Sequence, residues 1–436
     1  MENVDSLIHA RWIIPVNPEY VVLDHHSVAV RDGEIISILP QTEAKQRYQS
    51  VQVYNLDDHA LIPGLINTHT HMSMNLLRGY ADDLPLMTWL QEHIWPAEAK
   101  HVDWQFVRDG TELAIAESIR CGVTCCNDMY FFPDAAIEAA EAANFRLSVG
   151  LIVLDFPTIW AANADEYLQK ALRIHDQAKQ NNLITTTFAP HAPYTVSDEP
   201  MQKIITYAEE LDIPMHIHVH ETAGEIAQQE QRPLARLHDL GMLSPRLLAV
   251  HMTQLSEEEI QLCSQTGLNV IHCPESNLKL ASGLCPVGQL MKAGVNVALG
   301  TDGAASNNDL DMLGEMRTAA LLAKVVANDA ACLDAHQALQ MATLNGATAL
   351  GLADQIGSLE IGKRADITAI DLSAIETQPV YHPISQIVYA AGKEQVSHVW
   401  IDGQNVLNQR QLSTINEKQL KHTVHEWQKK IATQER

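Results

Sequence analysis

Short apolar runs alternate with amphipathic stretches through most of the chain. The runs have the length and composition of buried β-strands, and they fall at residues 61–67, 123–128, 147–154, 185–189, 214–218, 247–251, 268–272 and 296–300. Most of the segments between them have helical spacing. Residues 102–120, for example, stop before Gly122, a residue suited to a helix C-terminus. The pattern therefore predicts eight strand–helix units in succession.

The number of these units distinguishes between two α/β folds. Eight of them in a chain of this length are typical of a (β/α)8 TIM barrel, whereas an open doubly wound sheet usually has fewer strands and a glycine-rich phosphate loop. Neither G-x-G-x-x-G nor G-x-x-x-x-G-K-[ST] occurs in the chain. We therefore predict a barrel over residues 59–363.

The two ends of the chain share a different pattern, that of short β-strands. Asp32-Gly33 and Asp402-Gly403 each lie between apolar runs, which is typical of a tight hairpin turn. The similarity predicts one small β-sandwich domain built from both termini, residues 1–58 and 364–415. Residues 416–436 are polar with helical spacing and predict a C-terminal surface helix.

Charge and composition exclude several classes of partner. The net charge of −25 disfavours nucleic acid and anionic membrane surfaces, and no apolar run is long enough to span a bilayer. The acidic start lacks a secretory signal pattern, so we expect a cytoplasmic protein with reduced thiols. No C-x-x-C pair occurs, which excludes the commonest cysteine–zinc pattern and the signature of the cytidine-deaminase type.

Polar residues that could bind a metal follow most of the predicted strands. They are His69, His71, His191, His216, His218, His220, Glu221, His251, His272 and Asp302. Active sites of such barrels lie at the C-terminal ends of the strands, so these side chains are expected to meet there. Two of the histidines, His69 and His71, have i, i+2 spacing and would face the same side of a strand. The sequence therefore predicts a metal site.

The donor types favour a single metal ion. Three neutral imidazoles and one carboxylate make a mononuclear site with room for water, and His69, His71 and Asp302 supply three of these ligands. A two-metal site commonly uses a carboxylated lysine on a middle strand, but residues 185–191 contain no lysine. We therefore expect one divalent metal ion per subunit.

The fifth strand offers three histidines for the remaining position. His218 is preferred because Glu221 follows it by three residues and could then face the bound water. His220 is the alternative ligand. His216 is expected to be buried inside the barrel instead.

With these residues in place, the chain resembles the 5-methylthioadenosine/S-adenosylhomocysteine deaminase family, in the chlorohydrolase-like branch of the amidohydrolase superfamily. The motifs that carry the resemblance are PGLINTHTH (63–71), LRGYADDLPL (77–86), APHAP (189–193), HVHE (218–221), HCPESNLKLASG (272–283) and GTDG (300–303). Together they span nearly the whole chain and are specific for the branch. They are less specific for the substrate, because triazine hydrolases and guanine deaminases share much of the pattern.

The resemblance implies a barrel beside a β-sandwich and assigns the site residues. The implied metal ligands are His69, His71, His218 and Asp302, usually with Zn²⁺ and with Fe²⁺ as an alternative. The implied substrate contacts are Glu98 at the ribose hydroxyls, His191 at the purine, and Glu221 with Asp302 at the reacting centre. The implied partner is a small purine nucleoside, bound by a chain that could form a homo-oligomer.

A mechanism follows as a hypothesis. Hydroxide generated at the metal attacks C6 of an adenine ring while Glu221 protonates the adjacent ring nitrogen. Asp302 takes the proton from the water, and His251 holds the hydroxide. Ammonia then leaves.

The loop after the third strand bears on the choice of substrate. S-adenosylhomocysteine carries a carboxylate that would call for an arginine, and none occurs between Arg146 and Arg173. Phe156, Ile159 and Trp160 instead predict an apolar wall, so we expect 5′-methylthioadenosine, with S-adenosylhomocysteine or adenosine as possible further substrates. The alternatives are a guanine, triazine or pyrimidine deaminase, a chlorohydrolase, or a metal-binding scaffold without catalysis.

Overall fold

Eight parallel strands form the central sheet of the structure, a computed structural model that describes residues 1–227 and 230–433. The strands are Leu65–Thr70, Val123–Tyr130, Arg146–Val153, Ile184–Pro190, Met215–Val219, Leu247–His251, Asn269–His272 and Asn296–Leu299. Each pairs with the next along the chain, so their carboxyl ends share one face of the sheet. This succession confirms the predicted (β/α)8 barrel.

The first and eighth strands meet at a seam closed largely by side chains. Thr68 donates from Oγ1 to the carbonyl of Leu299 at 2.7 Å. The side-chain amide of Asn67 donates to Thr301 Oγ1 at 2.7 Å and accepts from the Thr301 backbone amide at 3.0 Å. Just beyond the strands, the amide of Asp302 donates to the carbonyl of His69. These contacts complete the barrel.

The start of the first barrel strand differs from its prediction. Residues 61–63 belong to Gln52–Pro63, a strand of the terminal sheet, and the barrel strand begins at Leu65. Gly64 separates the two because the backbone there approaches the second barrel strand. A Cβ atom on Gly64 would lie 2.1 Å from Thr124 Oγ1. The apolar run 61–67 is therefore divided between two sheets.

Helices follow the barrel strands and pack on their outer side. The α-helices are Gln41–Arg47, Leu86–Thr88, Trp95–His101, Trp104–Arg120, Pro133–Ala143, Ala164–Ala178, Asp198–Leu211, Ala223–Ala227, Pro233–Asp239, Glu257–Thr266, Pro274–Lys279, Val287–Lys292, Met312–Ala327, Ala335–Met341, Leu344–Ala349, Pro383–Tyr389 and Glu417–Thr433. A π-helical turn spans Trp89–Ile94, and short 3-10 turns span Met72–Leu77, Ile375–Thr377 and Lys393–Gln395. The helix predicted over 102–120 begins with Asp103, whose side chain accepts from the Phe106 amide.

Both ends of the chain contribute to one mixed sheet beside the barrel, as expected. Its strands are Ser6–Ile13, Leu23–Arg31, Glu34–Pro40, Gln52–Pro63, Ile367–Asp371, Val396–Ile401, Gln404–Asn408 and Gln411–Leu412. The two ends join where Gln52–Pro63 pairs antiparallel with Ile367–Asp371. Glu2–Asn3 and Tyr48–Gln49 form a separate short pair. The domain limits 1–58, 364–415 and 59–363 stay predictions.

Both predicted hairpin turns are present. Asp32 and Gly33 have φ of +53° and +76°, and Asp402 and Gly403 have φ of +53° and +78°. Positive φ at two successive residues is the requirement of the tight turn that an Asp-Gly pair favours. The turns also touch each other, since a Cβ atom on Gly403 would lie 2.8 Å from Gly33 Cα.

The C-terminal helix is Glu417–Thr433, and residues 434–436 of the predicted segment lie outside the described residues. It packs on the helix Trp104–Arg120. Trp427 donates from Nε1 to Asp109 Oδ2 at 2.9 Å, and its ring meets that of Phe106 at 5.3 Å between centroids. In the described part of the chain, no helix is long and apolar enough to cross a bilayer.

Candidate metal centre and active site

Three histidines and one aspartate converge at the carboxyl ends of the barrel strands. His69 lies in the first strand, His71 directly after it, His218 in the fifth strand and Asp302 after the eighth. Their candidate ligand atoms all lie within 4.8 Å of one another. Asp302 Oδ1 is 3.2 Å from Nε2 of both His69 and His71. This is the set of donors that the sequence and its resemblance predicted.

The backbone fixes the orientation of two of these imidazoles. His71 donates from Nδ1 to the carbonyl of Met129 at 2.6 Å, and His218 donates from Nδ1 to the carbonyl of His191 at 2.7 Å. Each bond leaves the Nε2 atom directed at the cluster, as expected for a ligand whose other nitrogen is held by an acceptor. Three imidazoles and a carboxylate suit Zn²⁺, so the residues present fit a single divalent metal.

The charge state of the cluster matches this donor role. Burial lowers the pKa of His69 to about 4 and that of His218 well below its usual value, so both imidazoles are neutral. Burial also opposes ionisation of Asp302, yet hydrogen bonds from His69 and His71 hold its pKa well below the ordinary range. Burial lowers the pKa of His71, but the Asp302 carboxylate outweighs it and raises the value to about 9. Because ligands must be deprotonated, metal binding displaces the His71 proton.

Hydrogen bonds from a helix and from the segment after the eighth strand hold the Asp302 carboxylate. Ser276 and Ser306 donate from Oγ to Oδ2 at 2.7 and 2.8 Å, and the amide of Gly303 donates to Oδ1 at 2.8 Å. The sequence reasoning missed both serines. Ser276 lies in a motif that carries the resemblance, whereas nothing near Ser306 indicated its role.

Glu221 and His251 lie next to the cluster. His251 Nε2 is 3.9 Å from Glu221 Oε2, and its Nδ1 donates to Asn277 Oδ1 at 2.9 Å. Asn277 therefore orients His251, a role that the sequence reasoning did not identify. Burial raises the pKa of Glu221, which is the direction that suits a carboxyl acting as a proton donor. The φ of His251 is +76°, and such strained backbone is common at functional sites.

The other two predicted substrate contacts, Glu98 and His191, line a cavity together with residues of the cluster. Glu98 is partly buried, and its desolvation raises its pKa to about 7; it accepts from the Tyr130 hydroxyl at 2.6 Å. The ring of His191 meets that of His218 edge to face at 5.0 Å, and burial lowers the pKa of His191 to about 3. Both side chains therefore face the same space as the cluster.

The other histidines of the fifth strand lie elsewhere. His220 has a φ of +54°, and its Nε2 accepts from the Leu234 amide at 3.1 Å, outside the cluster. His216 is fully buried in the barrel, where its Nε2 is 2.9 Å from His69 Nδ1.

The cavity over the cluster has a volume of about 810 Å³ and a largely apolar wall. The wall includes Leu86, Trp89, Leu90, Ile94, Phe156 and Ile159. No lysine or arginine of residues 1–227 or 230–433 lines it. Trp160, which the sequence predicted in this wall, instead packs against Phe132, with ring centroids 5.0 Å apart, and beneath the Lys170 ammonium. The prediction of an apolar wall is supported by Phe156 and Ile159.

A barrel with a three-histidine, one-aspartate cluster at the carboxyl ends of its strands defines a class of metal-dependent hydrolases. The sequence pattern of the amidohydrolase family matches residues 60–406, and the chain belongs to this family. The resemblance drawn from the sequence is thus confirmed.

Two relatives that match nearly the whole chain share one name. The chain is 48% identical to 5-methylthioadenosine/S-adenosylhomocysteine deaminase of Teredinibacter turnerae, with 98% of each chain covered. It is 49% identical to the protein of the same name in Saccharophagus degradans, with 99% of this chain and 97% of the other covered.

Solved structures support the fold and the metal. A crystal structure of an adenosine deaminase from Xanthomonas campestris with bound zinc is 53% identical, with a TM-score of 0.98 and 99% of both chains covered. Atrazine chlorohydrolase of Arthrobacter aurescens, at 22% identity and a TM-score of 0.90 over 97% of this chain and 99% of the other, shares the fold.

Proposed function

We propose that the protein is a zinc-dependent aminohydrolase that converts 5′-methylthioadenosine and water into 5′-methylthioinosine and ammonia. The observation that carries the proposal is one buried cavity that holds a metal-type cluster, the Glu221–His251 pair and the two predicted substrate contacts. The names of the full-length relatives point to the same reaction.

In this proposal each residue has a separate task. His69, His71, His218 and Asp302 would hold the zinc ion, which would supply an activated water near neutral pH. Glu221 gives a proton to the ring nitrogen beside C6, which makes that carbon electrophilic. Asp302 accepts one proton of the attacking water and passes it to the departing amine, and the remaining hydroxyl proton returns to Glu221 as the C6 carbonyl of the product forms. His251, whose Nδ1 is held by Asn277, positions through Nε2 the oxygen that adds to the ring.

The wall of the cavity supports the choice of substrate. A methylthio group is apolar and matches Phe156 and Ile159, whereas the amino-acid tail of S-adenosylhomocysteine would bring a carboxylate to a wall that lacks a cation among the described residues. Adenosine would present a hydroxyl to the same apolar surface. We therefore place 5′-methylthioadenosine first.

Ammonia release from a panel of substrates tests the proposal. The panel contains 5′-methylthioadenosine, S-adenosylhomocysteine, adenosine, guanine and a chlorotriazine, with the metal content of each preparation measured in parallel. We expect the highest kcat/KM for 5′-methylthioadenosine. A clear preference for S-adenosylhomocysteine would refute the choice of substrate, and turnover of guanine or the triazine alone would refute the reaction.

The role of Glu221 is tested by Glu221→Gln. Loss of a general acid typically costs about 10²–10⁴-fold in rate, so kcat should fall by that factor while the zinc content stays unchanged. Turnover near the wild-type value in the zinc-loaded variant would remove Glu221 from the mechanism.

A further inference from the structure

A tyrosine that no motif indicated makes a short hydrogen bond to the carboxylate proposed to bind the ribose. The Tyr130 hydroxyl donates to Glu98 Oε1 at 2.6 Å. Both side chains line the cavity, and Tyr130 is only 5% exposed. The two residues come from different elements, since Glu98 lies in the short helix Trp95–His101 and Tyr130 ends the second barrel strand.

The strand places Tyr130 more firmly than the helix places Glu98. Tyr130 is in register with Leu151 of the third strand, and its ring packs with other members of a buried apolar cluster. Glu98, in contrast, lies in the helix Trp95–His101, which follows directly on the π-helical turn Trp89–Ile94, a local irregularity often found at functional sites. The phenol is therefore an anchor for this carboxylate.

The same strand end also orients the metal cluster. The carbonyl of Met129, one residue before Tyr130, accepts from Nδ1 of His71. Asp128 accepts through Oδ1 from the Met72 amide at 2.7 Å and from Thr70 Oγ1 at 3.2 Å. Three successive residues thus fix the position of the reacting centre and that of Glu98 relative to each other.

A carboxylate has about four acceptor sites, and the two hydroxyls of a vicinal diol can be bound by both of its oxygens at once. This requires a defined carboxylate plane, because a rotated group would reach one hydroxyl and miss the other. Tyr130 occupies one acceptor site on Oε1 and leaves the others for the diol. The bond therefore fixes the plane without blocking recognition.

We propose that Tyr130 is a positioning residue that holds Glu98 for recognition of both ribose hydroxyls of the nucleoside. This inference rests on the proposed function. It makes Tyr130 a determinant of selectivity for ribonucleosides over their 2′-deoxy analogues, acting through Glu98 and without contact with the reacting atoms.

The test compares Tyr130→Phe with the wild type on 5′-methylthioadenosine and on its 2′-deoxy analogue. A hydrogen bond to a charged group contributes enough binding free energy that its loss should lower kcat/KM on the ribonucleoside by about 10-fold. The loss should appear mainly as a higher KM. The 2′-deoxy substrate should change little, so the selectivity ratio should fall. An equal loss on both substrates would mean a merely structural role and would overturn the inference.

Two further variants make the assignment specific. In a Glu98→Ala background Tyr130→Phe should have no additional effect on the ratio, because the bond that it removes no longer exists. An additive effect would contradict action through Glu98. Tyr207→Phe, which alters a tyrosine stacked on Phe188 outside the cavity, is the matched control and should leave the ratio unchanged. Zinc content is measured for every variant.

A binding measurement tests the role of Tyr130 independently of the proposed reaction. Calorimetric titration of zinc-loaded Glu221→Gln with 5′-methylthioinosine and its 2′-deoxy form reports ribose selectivity without turnover. Introducing Tyr130→Phe into that protein should lower the selectivity in binding as it does in kcat/KM. The role of Tyr130 would be overturned if Glu221→Gln showed no ribose selectivity in binding, or if the selectivity persisted after Tyr130→Phe was introduced. Either outcome is independent of the ammonia assay.

Discussion

At the scale of single residues, the contact between His216 and His69 shows how the barrel interior supports the metal centre. His216 Nε2 lies 2.9 Å from His69 Nδ1, and His216 Nδ1 lies 3.1 Å from the side-chain nitrogen of Asn127. Asn127 is held in turn by Thr187, which donates to its Oδ1 at 3.1 Å. A ligand imidazole needs such a partner to keep one ring nitrogen fixed and the other free for the metal.

Replacing His216 by phenylalanine should therefore weaken zinc binding by about 10–100-fold, because His69 loses the partner of its Nδ1 atom. Competition with a chelator of known affinity measures the change. His175→Phe is the matched control, since His175 is a buried histidine bonded to Thr186 away from the cluster. Unchanged affinity in His216→Phe would show that the contact does not support the ligand.

A histidine of the terminal sheet should make stability depend on pH. Burial lowers the pKa of His398 from 6.5 to about 4. The unfolded chain thus binds a proton at a higher pH than the folded protein, so stability is full above pH 6.5 and is lost as the pH falls towards 4.

Urea unfolding of the wild type and His398→Gln at pH 7 and pH 5 checks this dependence. Between these values the wild type should lose about 1–2 kcal/mol more than the variant. Comparing the two proteins cancels the other titrating groups. Parallel losses in both would show that His398 does not titrate in this window.

At the scale of elements, the C-terminal helix is a structural part of the barrel wall. It buries Trp427 against Phe106, and Trp427 Nε1 donates to Asp109, a largely buried carboxylate of the helix Trp104–Arg120. The latter helix also packs on the turn Met72–Leu77 that follows the ligand His71. The last helix therefore stabilises the region from which the metal ligands extend.

Changing Trp427 to phenylalanine should cost about 1–3 kcal/mol, because Asp109 would be left with an unsatisfied buried oxygen while most of the apolar packing remains. The free energy of unfolding in urea measures this loss. Lys421→Ala, a change at an exposed position of the same helix, should have little effect. Equal stability of Trp427→Phe and the wild type would contradict a structural role for the bond.

Elements encoded by local patterns could be predicted, and elements that depend on distant neighbours could not. The Asp-Gly turns need positive φ at adjacent residues, which is a property of those residues alone. The end of the terminal strand at Pro63 depends on the approach of Thr124 to Gly64, and the periodicity of the run contains no sign of it.

The candidate site divides in the same way. Histidines and an aspartate after successive strands meet because parallel strands share one end. Asn277 and Tyr130 act through contacts with His251 and Glu98, which lie 26 and 32 positions away in the sequence on other elements. Such contacts exist only once the chain has folded, so the pattern could not indicate them.

At the scale of the whole molecule, the metal cluster lies directly above the seam of the barrel. His69 and Asp302 belong to its two sides and are already joined by a main-chain hydrogen bond. A metal bound by both would add a strong cross-link to a junction held largely by side chains.

Removal of the metal should lower Tm by about 4–5 °C while unfolding stays cooperative, since a ligand at about a thousand times its Kd contributes roughly 4 kcal/mol. Scanning calorimetry of chelated and zinc-restored protein measures this. Hydrogen exchange should rise at residues 299–306 more than in the strand Leu247–His251, which pairs with neighbours on both sides. Uniform acceleration would argue against a local effect at the seam.

The seam also determines when the protein can become active during its synthesis. Thr68 and Leu299 are separated by 231 positions, so His69 and His71 leave the ribosome long before their partner strand exists. Contacts of such wide separation form late. A chain truncated before Asp302 holds only part of the ligand set. A zinc ion bound early by His69 and His71 would lack the Asp302 carboxylate as a ligand. Acquisition of the metal can therefore act as a checkpoint that only a completed barrel passes.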